Sequence, residues 1–165
     1  MNLSGEWGYI QHVADQRRSY NQTPRHVPVA YLEVIGAAGE LAARRLFGMP
    51  EELHIHFDHG KDFVWNGVSV DVKATILTSR LRYRYLQWPR EKRVKASIIL
   101  MVAVDIDHKL AVPVGYATKD EVQKAPINWE RQEPCREIST ENLHPVWELF
   151  SNRYPSRREN RIAVY

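Results

Sequence analysis

The dipeptide Asn66-Gly67 restricts the fold more than any other feature, because it lies between two short segments with apolar residues at alternate positions. Residues 63–65 precede it, and residues 68–72 follow with valine at every second position. This alternation indicates half-buried strands, and Asn-Gly is a strong signal for a two-residue hairpin turn. The sequence therefore predicts an antiparallel hairpin centred on Asn66-Gly67.

Helical periodicity dominates the segment before this hairpin. Residues 29–47 carry apolar and small side chains at helical spacing, and Gly48 followed by Pro50 ends the pattern. Residues 1–20 predict another helix, and the proline-containing segment 21–28 predicts a loop.

The remaining segments predict further strands and two short helices. Residues 53–57 alternate apolar with polar side chains, residues 96–104 form a continuous apolar run typical of a buried strand, and residues 110–116 predict another strand. Short helices are predicted at 118–124, from N-cap chemistry, and at 141–150. The fold class expected is α/β (α+β), with a central mixed β-sheet.

Length and composition indicate one globular domain over residues 1–165, since 44% apolar and 26% charged residues are ordinary values. No apolar run approaches the roughly 20 residues that span a bilayer, and the N-terminus lacks a signal-peptide pattern. Cys135, the single cysteine, lies in a polar stretch without a catalytic signature and cannot form an intrachain disulfide. We therefore expect an intracellular, cytoplasmic protein without membrane partners.

Three residues around the hairpin carry the chemistry. Asp71 and Lys73 are two positions apart on the returning strand, so they share one sheet face, and the turn brings Asp62 close to them. Carboxylates hold hard cations such as Mg²⁺ or Mn²⁺, and a nearby lysine can orient water and offset charge on a phosphate. An ordinary surface pair of Asp71 with Lys73 is the alternative.

Basic residues concentrate downstream of this hairpin. The segment 80–95 contains seven basic residues against the single acid Glu91, and it also contains aromatic residues, such as Trp88, that could stack on bases. It therefore predicts contact with nucleic acid, although a solvated basic face over core aromatics remains the alternative; the basic residues are Arg80, Arg82, Arg84, Arg90, Lys92, Arg93 and Lys95. A weaker candidate is the arginine-rich segment that begins at Arg153.

Histidines before the hairpin allow a different hypothesis. His54 and His56 have strand spacing, and His59 and Asp58 follow, so these residues could hold zinc. A clear fourth ligand is missing from the pattern, which favours a polar strand face or an edge that faces DNA.

The arrangement Asp62, eight residues, Asp71-Val72-Lys73 resembles the PD-(D/E)XK motif of restriction-endonuclease-like nucleases of the small phage or bacterial type. The helix containing Gly39-Glu40-Leu41-Ala42 resembles the first core helix of that superfamily, and the resemblance covers about residues 29–124. Lys61 stands where the motif has proline. Asp58 is the competing choice for the first acid of the motif, but it lies among histidines before Gly60, so Asp62 is preferred.

This resemblance implies a restriction-endonuclease-like core and a role for each matching residue. Asp62 and Asp71 would ligate the metal together with the Val72 carbonyl, and Lys73 would position the attacking water. Glu40 would act as an additional acid, at the metal's water shell or at a second metal. Glu33 is the fallback, and a solvated pair of Glu40 with Arg44 is the alternative.

The expected function is that of a Mg²⁺- or Mn²⁺-dependent endo- or exonuclease acting on DNA, with RNA not excluded. Cutting two strands is simplest with two sites, which favours a homodimer. The alternative is a non-catalytic nucleic-acid-binding protein on the same fold.

Overall fold

A computed structural model describes residues 1–20, 29–55, 60–77 and 85–151. None of the helices in these ranges is long and apolar enough to cross a membrane. The elements follow in the order α1 (Trp7–Tyr20), α2 (Val29–Leu46), β1 (Phe63–Trp65), β2 (Val68–Ile76), β3 (Tyr85–Pro89), β4 (Ile98–Asp105), β5 (Leu110–Thr118), α3 (Lys119–Lys124), β6 (Ile127–Asn128) and β7 (Cys135–Ser139), with 3-10 helices at Ser4–Glu6, Thr140–Asn142 and Val146–Leu149.

The larger sheet is mixed, with strand order β1-β2-β4-β5. β1 pairs antiparallel with β2, β2 pairs parallel with β4, and β4 pairs antiparallel with β5. Asn66 and Gly67 both have positive φ, at 47° and 81°, which is the backbone of a two-residue hairpin turn. The predicted hairpin and mixed sheet are therefore confirmed.

The two faces of this sheet are covered by different layers. Val70 on β2 and Leu100 on β4 belong to a core cluster formed with α1 and α2. The opposite face packs Ile99 and Met101 against Trp88 of β3 and against α3. Because side chains alternate along a strand, the odd-numbered residues of β2 project away from α2 and towards β3.

The helix boundaries follow from local hydrogen bonding. After α2, the N–H of Met49 donates to the Arg44 carbonyl and that of Gly48 to the Arg45 carbonyl, with Gly48 at φ 61°. This is a Schellman ending, for which glycine is preferred. Thr118 and Glu121 form a reciprocal capping box at the start of α3, as the sequence predicts.

Two predicted elements are wrong. Residues 53–55 are not in a strand, because the N–H of Leu53 bonds to the Tyr9 hydroxyl and the His54 carbonyl accepts from Arg17; residues 56–57 lie outside the described ranges. The predicted helix 141–150 is instead two 3-10 turns separated by Pro145, which cannot donate a backbone hydrogen bond. The predicted loop 21–28 also lies outside the described ranges.

The sequence pattern missed a smaller second sheet, whose strand order is β3-β7-β6. Leu86 and Trp88 are the buried residues of β3, whereas Tyr85 is 41% exposed. Of the aromatic residues in this part of the basic segment, Trp88 lies in the core and Tyr85 does not.

Close packing of α2 on β2 makes Gly39 sensitive to substitution. A Cβ on Gly39 would lie 2.5 Å from the Ala74 Cβ, whereas one on Gly36 would meet nothing within 4 Å. We expect Gly39→Ala to destabilise the fold by about 1–3 kcal/mol through overpacking. Gly36→Ala, the matched control, should stabilise it by roughly 0.5–1 kcal/mol. Urea unfolding measures both, and equal midpoints for the two variants would contradict this packing.

Candidate functional site

The hairpin fixes Asp62 beside the Asp71-Val72-Lys73 segment. The N–H of Asp62 donates to the Val70 carbonyl at 2.8 Å, and the Asp62 carboxylate accepts a hydrogen bond from the N–H of Val72. β1 begins at Phe63, so the Asp62 side chain bonds to a β2 amide beyond the end of the strand pairing. Asp62 and the Asp71-Val72-Lys73 segment, which the sequence predicted to converge, are therefore in contact.

Asp71 and Lys73 form an ion pair on the sheet face that points towards β3. Lys73 Nζ donates to Asp71 Oδ1, and the Asp71 side chain is 5% exposed against 37% for Lys73. Lys73 Nζ also lies 4.7 Å from the centre of the Trp88 ring. The Trp88 indole N–H in turn donates to the Lys92 carbonyl at 2.8 Å. Trp88 thus connects this ion pair to the basic segment.

Glu40 is buried, and arginines engage both of its oxygens. Oε2 accepts from Arg17 at 2.6 Å, and Oε1 lies 3.5 Å from Arg44 Nε, an ion-pair separation and not a hydrogen bond. Arg44 Nη2 donates to the Asp62 carbonyl at 2.9 Å. The Glu40–Arg44 pair is therefore buried, not solvated as the alternative had it, and it connects α2 to the backbone of Asp62. Arg17 had no sequence signal, since it precedes Glu40 by 23 residues.

The donor atoms at the hairpin suit a hard cation. Asp62 and Asp71 supply carboxylate oxygens, and Val72, whose N–H donates to Asp62, lies between Asp71 and Lys73 along β2. Mg²⁺ prefers oxygen ligands and retains several waters, so two carboxylates and one carbonyl fit its chemistry. Within the described ranges, no group of three or more His, Cys, Asp or Glu side chains is placed to hold a metal. A site here would therefore depend on these few protein ligands plus water.

The other metal and nucleophile candidates lie elsewhere. His56, Asp58 and His59 fall outside the described ranges. His54 lies within them, and its backbone carbonyl accepts a hydrogen bond from Arg17. Cys135 is buried, and burial, together with the nearby Glu137 carboxylate, raises the pKa of its thiol. A raised pKa keeps the thiol protonated, which agrees with the absence of a nucleophile signature around it.

The described part of the basic segment lies on the surface. Arg90, Lys92, Arg93 and Lys95 are all exposed. The Lys95 side chain packs near Gly60, with Cδ 3.5 Å from where a Gly60 Cβ would be, so it approaches the start of the hairpin. Three predicted contacts, Arg80, Arg82 and Arg84, lie outside the described ranges, as do the arginines from Arg153 onwards.

No protein-family model, curated protein or solved structure matches the chain. The geometry of the site therefore carries the functional argument.

Removing the Glu40 charge tests its link to the arginines. Glu40→Gln leaves the nearly buried guanidinium of Arg44 without its carboxylate, so we expect a loss of about 3 kcal/mol or more in unfolding free energy. Urea denaturation at neutral pH measures it, with the exposed Glu52→Gln as the matched control, expected within about 0.5 kcal/mol of wild type. A Glu40→Gln midpoint equal to that of Glu52→Gln would contradict a structural role for the Glu40 charge.

Proposed function

We propose that this chain is a metal-dependent nuclease that hydrolyses phosphodiester bonds of DNA, using Asp62, Asp71 and Lys73. The observation that carries the proposal is the bond from the Val72 amide to the Asp62 carboxylate. This hydrogen bond holds the Asp62 carboxylate against the backbone of Val72. On either side of Val72 are the buried Asp71 and its ion-pair partner, Lys73. Two carboxylates and an ammonium group thus meet at one end of a hairpin, the set of groups that phosphodiester hydrolysis needs.

Asp62 and Asp71, with the Val72 carbonyl, are the residues that would hold Mg²⁺ or Mn²⁺. Bound there, the cation would polarise the phosphate and lower the pKa of a coordinated water. Asp71 has little solvent contact of its own, so its charge must be balanced by a partner. In the structure Lys73 balances it, and a divalent cation would take over that role.

Lys73 then acts on the reacting phosphate. Its ammonium group orients the attacking water and offsets the negative charge that builds on the phosphate oxygens in the transition state. The Trp88 ring limits where this ammonium group can go, since the cation lies 4.7 Å from the ring centre. Trp88 is therefore a positioning residue for Lys73.

Glu40 contributes to the site indirectly, through Arg44. Its carboxylate holds Arg44, and Arg44 holds the Asp62 carbonyl, so the helix fixes the backbone from which the first acid projects. In this proposal Glu40 is a positioning residue, a narrower role than the additional metal acid that the resemblance implies.

Substrate binding is assigned to the exposed basic residues that follow Trp88. Lys95 packs beside Gly60 near the hairpin, and Arg90, Lys92 and Arg93 continue the positive charge along the surface. Lysine and arginine neutralise phosphates and release counterions, which gives affinity without sequence preference. A restriction-endonuclease-like core is the scaffold we propose for the site; the mixed sheet and its helical layer support it.

A non-catalytic nucleic-acid-binding protein is the second candidate. The observation that favours it is that Glu40 is paired with Arg17 and Arg44. The hairpin then has the two carboxylates of Asp62 and Asp71, whereas the resemblance implies a third from Glu40. In that case the Asp71–Lys73 pair would be structural, and the basic surface would carry the function.

Cleavage assays with matched variants separate the two candidates. Wild type should degrade linear, circular or single-stranded DNA with Mg²⁺ or Mn²⁺ and not with EDTA. Asp71→Asn and Lys73→Ala should each slow cleavage by about 100-fold or more while retaining DNA binding in EDTA. Lys124→Ala, at an exposed lysine on α3, is the control and should cut like wild type.

Asp71→Asn is the safer of the two variants for folding, because it removes the buried charge and leaves only the half-exposed Lys73 without this ion pair. Lys73→Ala instead keeps the buried Asp71 charge and removes its lysine partner. Cleavage by Asp71→Asn at the wild-type rate would contradict the proposal. If wild type retards DNA on a gel but does not cut it, the second candidate, a non-catalytic nucleic-acid-binding protein, would replace the nuclease.

A further inference from the structure

Trp129 is a large apolar side chain left outside the core. It follows β6 and is 62% exposed, and the Arg90 guanidinium lies 4.7 Å from its ring centre. An exposed tryptophan beside an arginine is one of the groups that stack on unpaired nucleic-acid bases, because every base presents a π face.

The loop that carries Trp129 is held in place by its neighbours. Asn128 accepts the N–H of Glu130 at 3.0 Å and donates to Glu137 at 3.1 Å, and Arg131 also donates to Glu137. Burial acts to raise the pKa of Glu137, but the hydrogen bonds from Asn128 and Arg131 outweigh it and lower that pKa. The carboxylate therefore stays charged and anchors the loop at neutral pH, so the indole is presented from a fixed backbone.

A positively charged cleft of about 350 Å³ adjoins Trp129 through Arg90. Arginine and lysine side chains dominate its described lining, namely Arg90, Lys92, Arg93 and Arg136. Glu91, the one acid among the described lining residues, lies 3.5 Å from Arg90 Nε. Arg136 donates to the Arg90 carbonyl at 2.7 Å, which joins the second sheet to the basic segment. The excess of cations suits phosphate groups.

This cleft is connected to the hairpin site through Trp88. The Trp88 indole donates to the Lys92 carbonyl in the cleft wall, while its ring carries the Lys73 ammonium group. A nucleic-acid strand bound in the cleft would therefore lie on the same side of the larger sheet as Asp71 and Lys73.

We propose that Trp129 and this cleft form a binding site for single-stranded nucleic acid, with an unpaired base stacked on Trp129 and phosphates against Lys92, Arg93 and Arg136. The role of this site rests on the proposed function, since the site would hold the unpaired part of the substrate beside the catalytic residues. Bases inside a duplex are already stacked on one another, so stacking on the indole favours single strands.

Binding assays in EDTA test the inference apart from cleavage. Fluorescence anisotropy with a labelled oligothymidine of about 12 nucleotides, within the usual range of single-strand site sizes, is compared with a blunt duplex at one salt concentration. Trp129→Ala should weaken oligothymidine binding by about 5- to 150-fold and leave duplex binding unchanged. Trp129→Phe should restore most of the affinity. Trp147→Ala, at another highly exposed tryptophan, should bind like wild type.

The cleft has its own readout in the salt dependence of binding. The double variant Lys92→Gln/Arg93→Gln should reduce the slope of log affinity against log salt for oligothymidine by about 1.4, since each phosphate contact contributes about 0.7. Arg18→Gln, at an exposed arginine on α1, should leave the slope unchanged.

The outcomes distinguish this inference from the proposed nuclease function. Wild-type affinity of Trp129→Ala for oligothymidine, or absence of oligothymidine binding by wild type, would overturn the inference even if the protein cuts DNA. Trp129-dependent binding by a wild-type protein that cuts nothing would support this site and overturn the nuclease function.

Discussion

The Asp71 carboxylate is buried within a sheet that is covered on both faces, and the rest of the site depends on how that charge is balanced. Removing a carboxylate from water costs several kcal/mol, and attraction to a partner seldom returns more than well-packed apolar residues would give. A chain selected only for stability would gain little from Asp71 and Lys73 on an otherwise apolar stretch of β2. This imbalance is a physical reason to regard the pair as functional, and perturbed or buried charges do concentrate at such sites.

The other contacts follow from the position of that pair. Asp62 accepts the Val72 amide, Arg44 fixes the Asp62 backbone, and Glu40 with Arg17 holds the arginine from the helical layer. On the opposite face, the Lys73 ammonium group packs against the Trp88 ring. Both layers around the sheet therefore contribute to one point on β2, which gives a small protein a preorganised polar site.

The sequence predicted the parts of this arrangement that depend on local pattern. Asn66-Gly67 requires positive φ at both positions and so located the hairpin, and the apolar run 96–104 identified the buried central strand. The fold class followed from these elements, and Asp62, Asp71 and Lys73 converge as spacing around a hairpin demands.

Contacts between distant segments could not be predicted in this way. β6 has two residues and β7 is largely polar, so neither produces a clear periodic signal, and the second sheet was missed. The exposure of Trp129 and its contact with Arg90 depend on that sheet, as the bond from Arg17 to Glu40 depends on helix packing. Such contacts arise from tertiary structure and leave no mark in the spacing of residues along the chain.

The most direct test of the central claim is to locate the metal. Anomalous scattering from crystals soaked in Mn²⁺ should reveal a cation bound by Asp62 and Asp71, with the Lys73 ammonium group moved off the Asp71 carboxylate. An unchanged Asp71–Lys73 contact, with no manganese at the hairpin, would contradict the assignment of these residues to metal-dependent hydrolysis.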